Sequence, residues 1–169
     1  PIEHRLESVK ILAPANPDPE TDHDVLGKVV AQAVSRCEIA APQRRRVICK
    51  AITTSSHDSG EPSAYSAAID QLSFGHSAVD GRVPGSRRLF AISAGNVQPD
   101  ERWLTYPQSN QNYQVEQPAQ AWNALTIGAF TDKVLLPAIP DYAGWQAMAD
   151  RGDLSPFSST SVGWSRVWP

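Results

Sequence analysis

Arg88-Leu89-Phe90-Ala91-Ile92-Ser93-Ala94-Gly95-Asn96 is the stretch whose reading decides the fold. Leu89 to Ile92 is a short apolar run, too brief for a helix, and it reads as a buried strand. It gives way to Ser93, Ala94 and Gly95, small residues beside which another backbone can approach closely. Asn96 then stands at the strand's carboxyl tip. A strand that delivers one side-chain amide there can build a donor for negative charge developing on a substrate oxygen. A Gly-Asn pair after a strand is also the ordinary mark of a turn, so the surrounding chain has to decide between the two.

Upstream, Ser63 is placed to cap a helix through Ala64, Ala67, Ala68 and Leu72. Before it, Arg46 to Thr53 reads as a strand that ends in the polar run Thr53-Thr54-Ser55-Ser56. Val25, Val29, Ala33 and Cys37, flanked by Leu26, Val30 and Val34, keep a helical period. Asp22 or Asp24 can cap that helix, and Pro42 stops it. Val9 to Leu12 is a further β-like run, closed by Pro14. Downstream of Asn96, a polar excursion from Gln98 to Gln114 leads to a last strand at Ala124 to Phe130. A turn-rich tail follows from Leu154 to Ser161, and Gly75 to Ser86 reads as a surface loop. Strand, helix, strand, helix, strand is a βαβαβ pattern. It predicts an α/β fold, a mostly parallel sheet in three layers with helices on its faces. Ligands in such sheets bind at the carboxyl ends of strands, so Thr53–Ser56 and Ser93–Asn96 are expected to share one edge.

The length, 169 residues, is that of a single domain able to bury its own core. A net charge of -3 gives no footprint for nucleic acid or an anionic membrane, and Arg44-Arg45-Arg46 reads as a solvated junction. No run nears the roughly 20 apolar residues that span a bilayer. The compartment is left open, a soluble, cytoplasmic chain being slightly favoured. Cys37 and Cys49 form no CxxC pair and are expected as free buried thiols, with no zinc site. No GxGxxG or GxxxxGK[ST] follows any strand, which argues against a nucleotide-binding domain. The tryptophans Trp103, Trp122, Trp145, Trp164 and Trp168 read as packing residues rather than a stacking surface. No metal or cofactor is implied.

Taken in order, these segments resemble the middle of a subtilisin-like serine protease, a subtilase. Val9–Leu12 sits where that family has the strand after its catalytic histidine helix, and Ile52–Ser55 where a substrate-lining strand ends. Ile92-Ser93-Ala94-Gly95-Asn96 is similar to the family's oxyanion motif. Glu116-Gln117-Pro118 followed by Asn123-Ala124-Leu125-Thr126-Ile127-Gly128-Ala129 resembles its "YP…VIAVGA" stretch, and Leu154-Ser155-Pro156-Phe157-Ser158-Ser159 its "FSS" motif. The resemblance runs from Val9 to Ser161.

The resemblance implies that the Asn96 amide donates to the oxyanion of a tetrahedral intermediate. Such a donor contributes about 10²–10³ in turnover, a magnitude that belongs to subtilisin itself and is inherited here. Thr53, Thr54 and Ser55 on one side, and Ser93, Ala94 and Gly95 on the other, would flank a peptide by main-chain hydrogen bonds. Glu116 aligns with the pocket that receives the residue before the scissile bond, where a carboxylate favours Lys or Arg. Pro118 aligns with a proline that is cis in family members.

The departures are as definite. No Asp strand motif, no His-Gly-Thr and no Gly-Thr-Ser-x-Ala occurs in the sequence. His76-Ser77-Ala78-Val79-Asp80-Gly81 lies after the second helix, where the family has no catalytic group. His57-Asp58 lies beyond the substrate strand, and His4 and His23 near a terminus and in a loop. The expectation is one domain over residues 1–169, the central part of a subtilase catalytic domain without the flanks that carry the triad, inactive alone. A catalytically dead peptide-binding module is the alternative. Either is expected to meet peptide or protein partners but no nucleic acid or membrane, and the truncated piece to self-associate as a dimer.

Overall fold

The computed structural model describes residues 5–12, 25–54, 60–75, 87–97 and 104–164. At its centre, β2 (Leu89–Ser93) lies between β1 (Val47–Lys50) and β3 (Leu125–Ile127) in a parallel sheet of order β1-β2-β3. The register pairs Ile48 with Phe90, Lys50 with Ile92, and Ile92 with Thr126. Because side chains alternate along a strand, Ile48, Phe90 and Ile92 share one face. Phe90 and Ile92 are fully buried there.

That face is covered by α1 (Leu26–Ala40) and α2 (Ala64–Phe74). Leu26, Val30 and Val34 line the inner stripe of α1, and Tyr65, Ile69 and Leu72 that of α2; both stripes join the core with Phe90 and Ile92. The stripes follow the three-to-four-residue spacing that brings side chains onto one face of a helix. Gly27 on α1 lets the two helices close, since a Cβ there would stand 2.9 Å from that of Ala68. Helix α2 starts where the sequence predicts: Ser63 Oγ accepts from the Ser66 N–H at 3.1 Å. Arg88 ties the layers together, donating to both carboxylate oxygens of Glu38 on α1 (2.6 and 2.8 Å) and to the Leu72 carbonyl at the end of α2 (2.7 Å). The fold is therefore α/β, a parallel sheet with flanking helices; among the described residues both helices lie on one face, so of the three layers expected two are seen.

The opposite face is bare among the described residues. Val47, Leu89, Leu125 and Ile127 are 69%, 44%, 52% and 53% exposed. Cys49 shares that face and is exposed, whereas Cys37 is half-buried; both are free thiols, so the expectation of two buried ones fails for Cys49.

Other expectations are corrected in detail. Val9–Leu12 forms no strand. A strand exists only through a ladder partner, and here the outer edge of β1 faces a cleft of about 890 Å³ lined by Leu6, Val9 and Ile11. Instead, Glu7 holds this segment by ion pairs with Arg44 and Arg46. The strands expected at Arg46–Thr53 and Ala124–Phe130 shrink to Val47–Lys50 and Leu125–Ile127 because their flanks turn away to build the site. Trp164 packs against the core, but Trp122 and Trp145 are exposed, Trp145 standing edge-on to Tyr142 at 5.6 Å. Trp103, Trp168 and both candidate caps Asp22 and Asp24 lie outside the described residues.

Candidate active site

Beyond Ser93 the backbone of β2 is claimed from three sides. The Ala94 N–H donates to the Ile127 carbonyl at 2.9 Å, extending the ladder with β3, while the Ala94 carbonyl accepts from Glu116 N–H at 2.9 Å. Gly95 then turns at φ +102, a left-handed geometry that residues with a Cβ rarely adopt. Its carbonyl accepts from the Ser159 N–H at 3.3 Å, and the Val97 N–H donates to Phe157 O at 2.8 Å. Asn96 lies between these two bonds, bridged antiparallel to Ser158, with its side chain exposed at the tip and Val97 buried beneath.

The carboxyl end of β1 reaches the same place by another route. Thr54 and Gln117 exchange main-chain hydrogen bonds of 2.9 and 3.0 Å. Glu116 and Gln117 therefore form a short rung joining the ends of both strands, followed by the cis bond Gln117–Pro118. The Glu116 side chain fills the gap. Thr53 Oγ1 donates to Glu116 Oε2, and Gly95 lies so close that a Cβ on it would stand 2.6 Å from Glu116 Cγ and 2.7 Å from Cδ and Oε2. A half-buried carboxylate, one oxygen held by a hydroxyl, thus lies between two strand ends.

Below this, Lys50 is buried at the end of β1. Its ammonium donates to the Ile52 carbonyl and stands 4.9 Å from the centre of the Tyr65 ring. Burial pushes the ammonium down to about 8, and pushes the Tyr65 hydroxyl up.

Of the residues singled out by sequence, Thr53, Thr54, Ser93, Ala94, Gly95, Asn96 and Glu116 are brought together here. Ser55 lies outside the described residues, as do His4, His23, His57, Asp58 and His76. Among the described residues no three His, Cys, Asp or Glu side chains could hold a metal ion. Sequence reasoning missed Asn110, and quoted Ser158 only within the "FSS" resemblance, with no role. Asn110, on α3 (Gln108–Asn112), is fully buried and donates through Nδ2 to the carbonyls of Ser155 (2.9 Å) and Ser158 (2.8 Å). Ser158 Oγ accepts from Ala129 N–H at 3.1 Å. Asn110 sits in a polar stretch with no local pattern, so only its distant partners mark it.

Chemically, the arrangement presents an amide donor at a clamped backbone tip, with extended backbone and a carboxylate beside it. Preorganised donors of this kind stabilise charge that develops during acyl transfer. A search of curated proteins finds no match, and a search of solved structures finds none. The model of the subtilase family matches residues 1–169. With that match over the whole length, and the strand ends converging on Asn96, the chain belongs to the subtilase family of serine peptidases.

Proposed function

We propose that this chain is the substrate-cradling core of a subtilisin-like serine endopeptidase, whose Asp, His and Ser triad is contributed by sequence flanking these 169 residues. In this reading the Asn96 amide donates to the oxyanion formed when the serine attacks the scissile carbonyl. The Thr53–Thr54 and Ser93–Gly95 backbones align the peptide as an added extended strand. The observation that carries it is the joining of both strand ends by Glu116 and Gln117, with the Asn96 side chain left exposed beside them.

Glu116 gives the cradle a charge. A carboxylate between the two strand ends attracts a Lys or Arg side chain on the residue before the scissile bond, and E116Q should lower kcat/KM for basic substrates while leaving neutral ones nearly unchanged. The experiment for the whole reading is a fluorophosphonate serine-hydrolase probe applied to the full-length protein, with the labelled residue read by mass spectrometry. Label on a serine outside residues 1–169 supports the protease. Folded full-length protein that takes no label, with no triad motif in its flanks, leaves a peptide-binding module without catalysis. That second reading draws on the lack of any triad motif within the sequence.

The isolated chain is inactive under either reading. Among the described residues its sheet face of Val47, Leu89, Leu125 and Ile127 is uncovered and exposes apolar surface of the kind that drives association. We expect a dimer, which light scattering would reveal; a monomer at all concentrations would reject it.

A further inference from the structure

We infer that Asn110 is a positioning residue for Asn96, acting through the turn Ser155–Ser158. The inference rests on the oxyanion reading of Asn96 given above. Nothing in the β2 strand holds Asn96 by itself: after Gly95 the chain has left the sheet, and its geometry depends on what lies against it. What lies against it is the segment 157–159, through the bonds from Val97 N–H to Phe157 O and from Ser159 N–H to Gly95 O. That segment is itself a loop. It is closed by the Ser158 N–H donating to Ser155 O at 2.9 Å, and its two carbonyls, those of Ser155 and Ser158, both receive the Asn110 amide.

Asn110 is suited to this task through its side-chain amide and its main-chain carbonyl. Its Nδ2 spends both hydrogens on the turn. The two carbonyl acceptors fix the amide's orientation, since only Nδ2 can donate to them, and Oδ1 accepts a long bond from Ser109 Oγ at 3.4 Å. Its main-chain carbonyl accepts from Thr160 Oγ1 at 2.7 Å, two residues beyond Ser158. The residue is 0% exposed, so these bonds face no competition from solvent. A buried residue that holds a loop at two points by its amide and at a third by its main-chain carbonyl transmits its own placement to that loop, and the loop borders Asn96 on both sides. No hydrogen bond joins Asn110 to Asn96, and its effect passes through the backbone of residues 155–159.

The consequence is specific. A donor displaced by about 1 Å loses on the order of 10²-fold in rate while substrate binding elsewhere is untouched. Replacing Asn110 should therefore lower kcat and spare KM. The test uses the full-length protein and measures kcat and KM for N110A, N96A and the double variant, each checked for a native circular dichroism spectrum and melt. The expected result is a roughly 10- to 10²-fold fall in kcat for N110A with KM within about twofold, and no further fall when N110A is added to N96A. An equal fall in both backgrounds, or a change in melting temperature with kcat intact, overturns the inference.

If N110A does not fold, T160V takes its place: it removes only the hydroxyl bond to the Asn110 carbonyl, and a smaller fall in kcat that vanishes in the N96A background is expected. A T160V protein with unchanged kcat would then count against the inference. The two readings fail distinguishably. N96A with full activity refutes the oxyanion role itself, whereas an impaired N96A combined with additive N110A refutes only the coupling between the two.

Discussion

Substituting Gly95 by alanine tests the closeness on which the site depends. Two costs are visible. At φ +102 an alanine backbone is held outside its favourable regions, a strain of about 1–3 kcal/mol. Its Cβ would also lie 2.6 Å from Glu116 Cγ, and forcing extra volume into such a contact costs about 1–3 kcal/mol. The sum, about 2–6 kcal/mol, is a large part of the stability of an ordinary domain. Gly152 separates the two terms, because it has φ +89 and nothing within 4 Å of where its Cβ would stand. G152A should therefore show strain alone. Urea unfolding of the wild type, G95A, G152A, E116A and the double variant G95A/E116A measures each. We expect G95A to cost about 1–3 kcal/mol more than G152A, and that excess to disappear in the E116A background, where Cγ, Cδ and Oε2 are gone. If G95A costs no more than G152A, or if its cost is the same with and without the Glu116 side chain, the close packing of Gly95 on Glu116 is refuted.

R88A removes the two bonds to Glu38 and the one to Leu72 O. Arg88 is only 11% exposed, so a loss of about 2–3 kcal/mol is expected in urea unfolding, against well under 1 for R151A in the exposed pair with Asp132. Glu7 carries a pH signature. Hydrogen bonds from Arg46 and then Arg44 hold its carboxyl down to about 2, against an ordinary 4.5. A depressed carboxyl stabilises the fold above the unfolded value and loses that contribution as pH falls, so the advantage of wild type over E7Q should be full at pH 6 and fade between about 4.5 and 2. Thermal melts at several pH values check this, and 1 M salt should shrink the difference throughout. Lys50 behaves in the opposite sense. Its buried ammonium releases a proton near 8 in the folded chain and near 10.5 in the unfolded one, so the unfolded state binds more protons between these values. Stability should rise with pH across that window and K50M should flatten the rise, as chemical denaturation from pH 7 to 10 would show. The Tyr65 hydroxyl, which burial raises above its ordinary 10, opposes the trend only above pH 10.

What the sequence makes legible is what short-range chemistry controls. Ser63 caps its helix because the next three residues suffice to build the cap, and the stripe of Leu26, Val30 and Val34 follows from helical periodicity alone. Leu89 to Ser93 is apolar enough to be a strand in any setting. Val9–Leu12 has the composition of a strand, but composition does not supply a ladder partner, and the cleft beside β1 leaves it without one. Cys49 alternates correctly with Lys50, yet which face of the sheet is covered depends on the helices and not on the strand. Glu116 shows the limit most clearly. Its partner Thr53 is 63 residues away, no local pattern joins the two, and only the resemblance drew attention to it. Asn110 had not even that, since it reaches its partners across 45 and 48 residues from a polar excursion that reads as loop.

The sheet and the site thus rest on different kinds of order. Parallel pairing fixes where β1 and β2 end, and hydrophobic burial of Phe90 and Ile92 holds that register, because a slip by one residue would turn both out of the core. Neither effect sets the direction of the Asn96 tip. That is decided by two returning segments, the Glu116–Gln117 rung and the Phe157–Ser159 loop, each made of main-chain bonds with partners remote in sequence. Such bonds order the chain only when the segments carrying them are themselves anchored, since each must offset the backbone entropy it costs. Asn110 anchors one segment by its buried amide, and Thr53 engages the other through Glu116. The donor role proposed for Asn96 would need this arrangement: the rate contribution of such a donor depends on geometry held before the charge appears, and loops acquire that rigidity from buried polar contacts rather than from the sheet they leave.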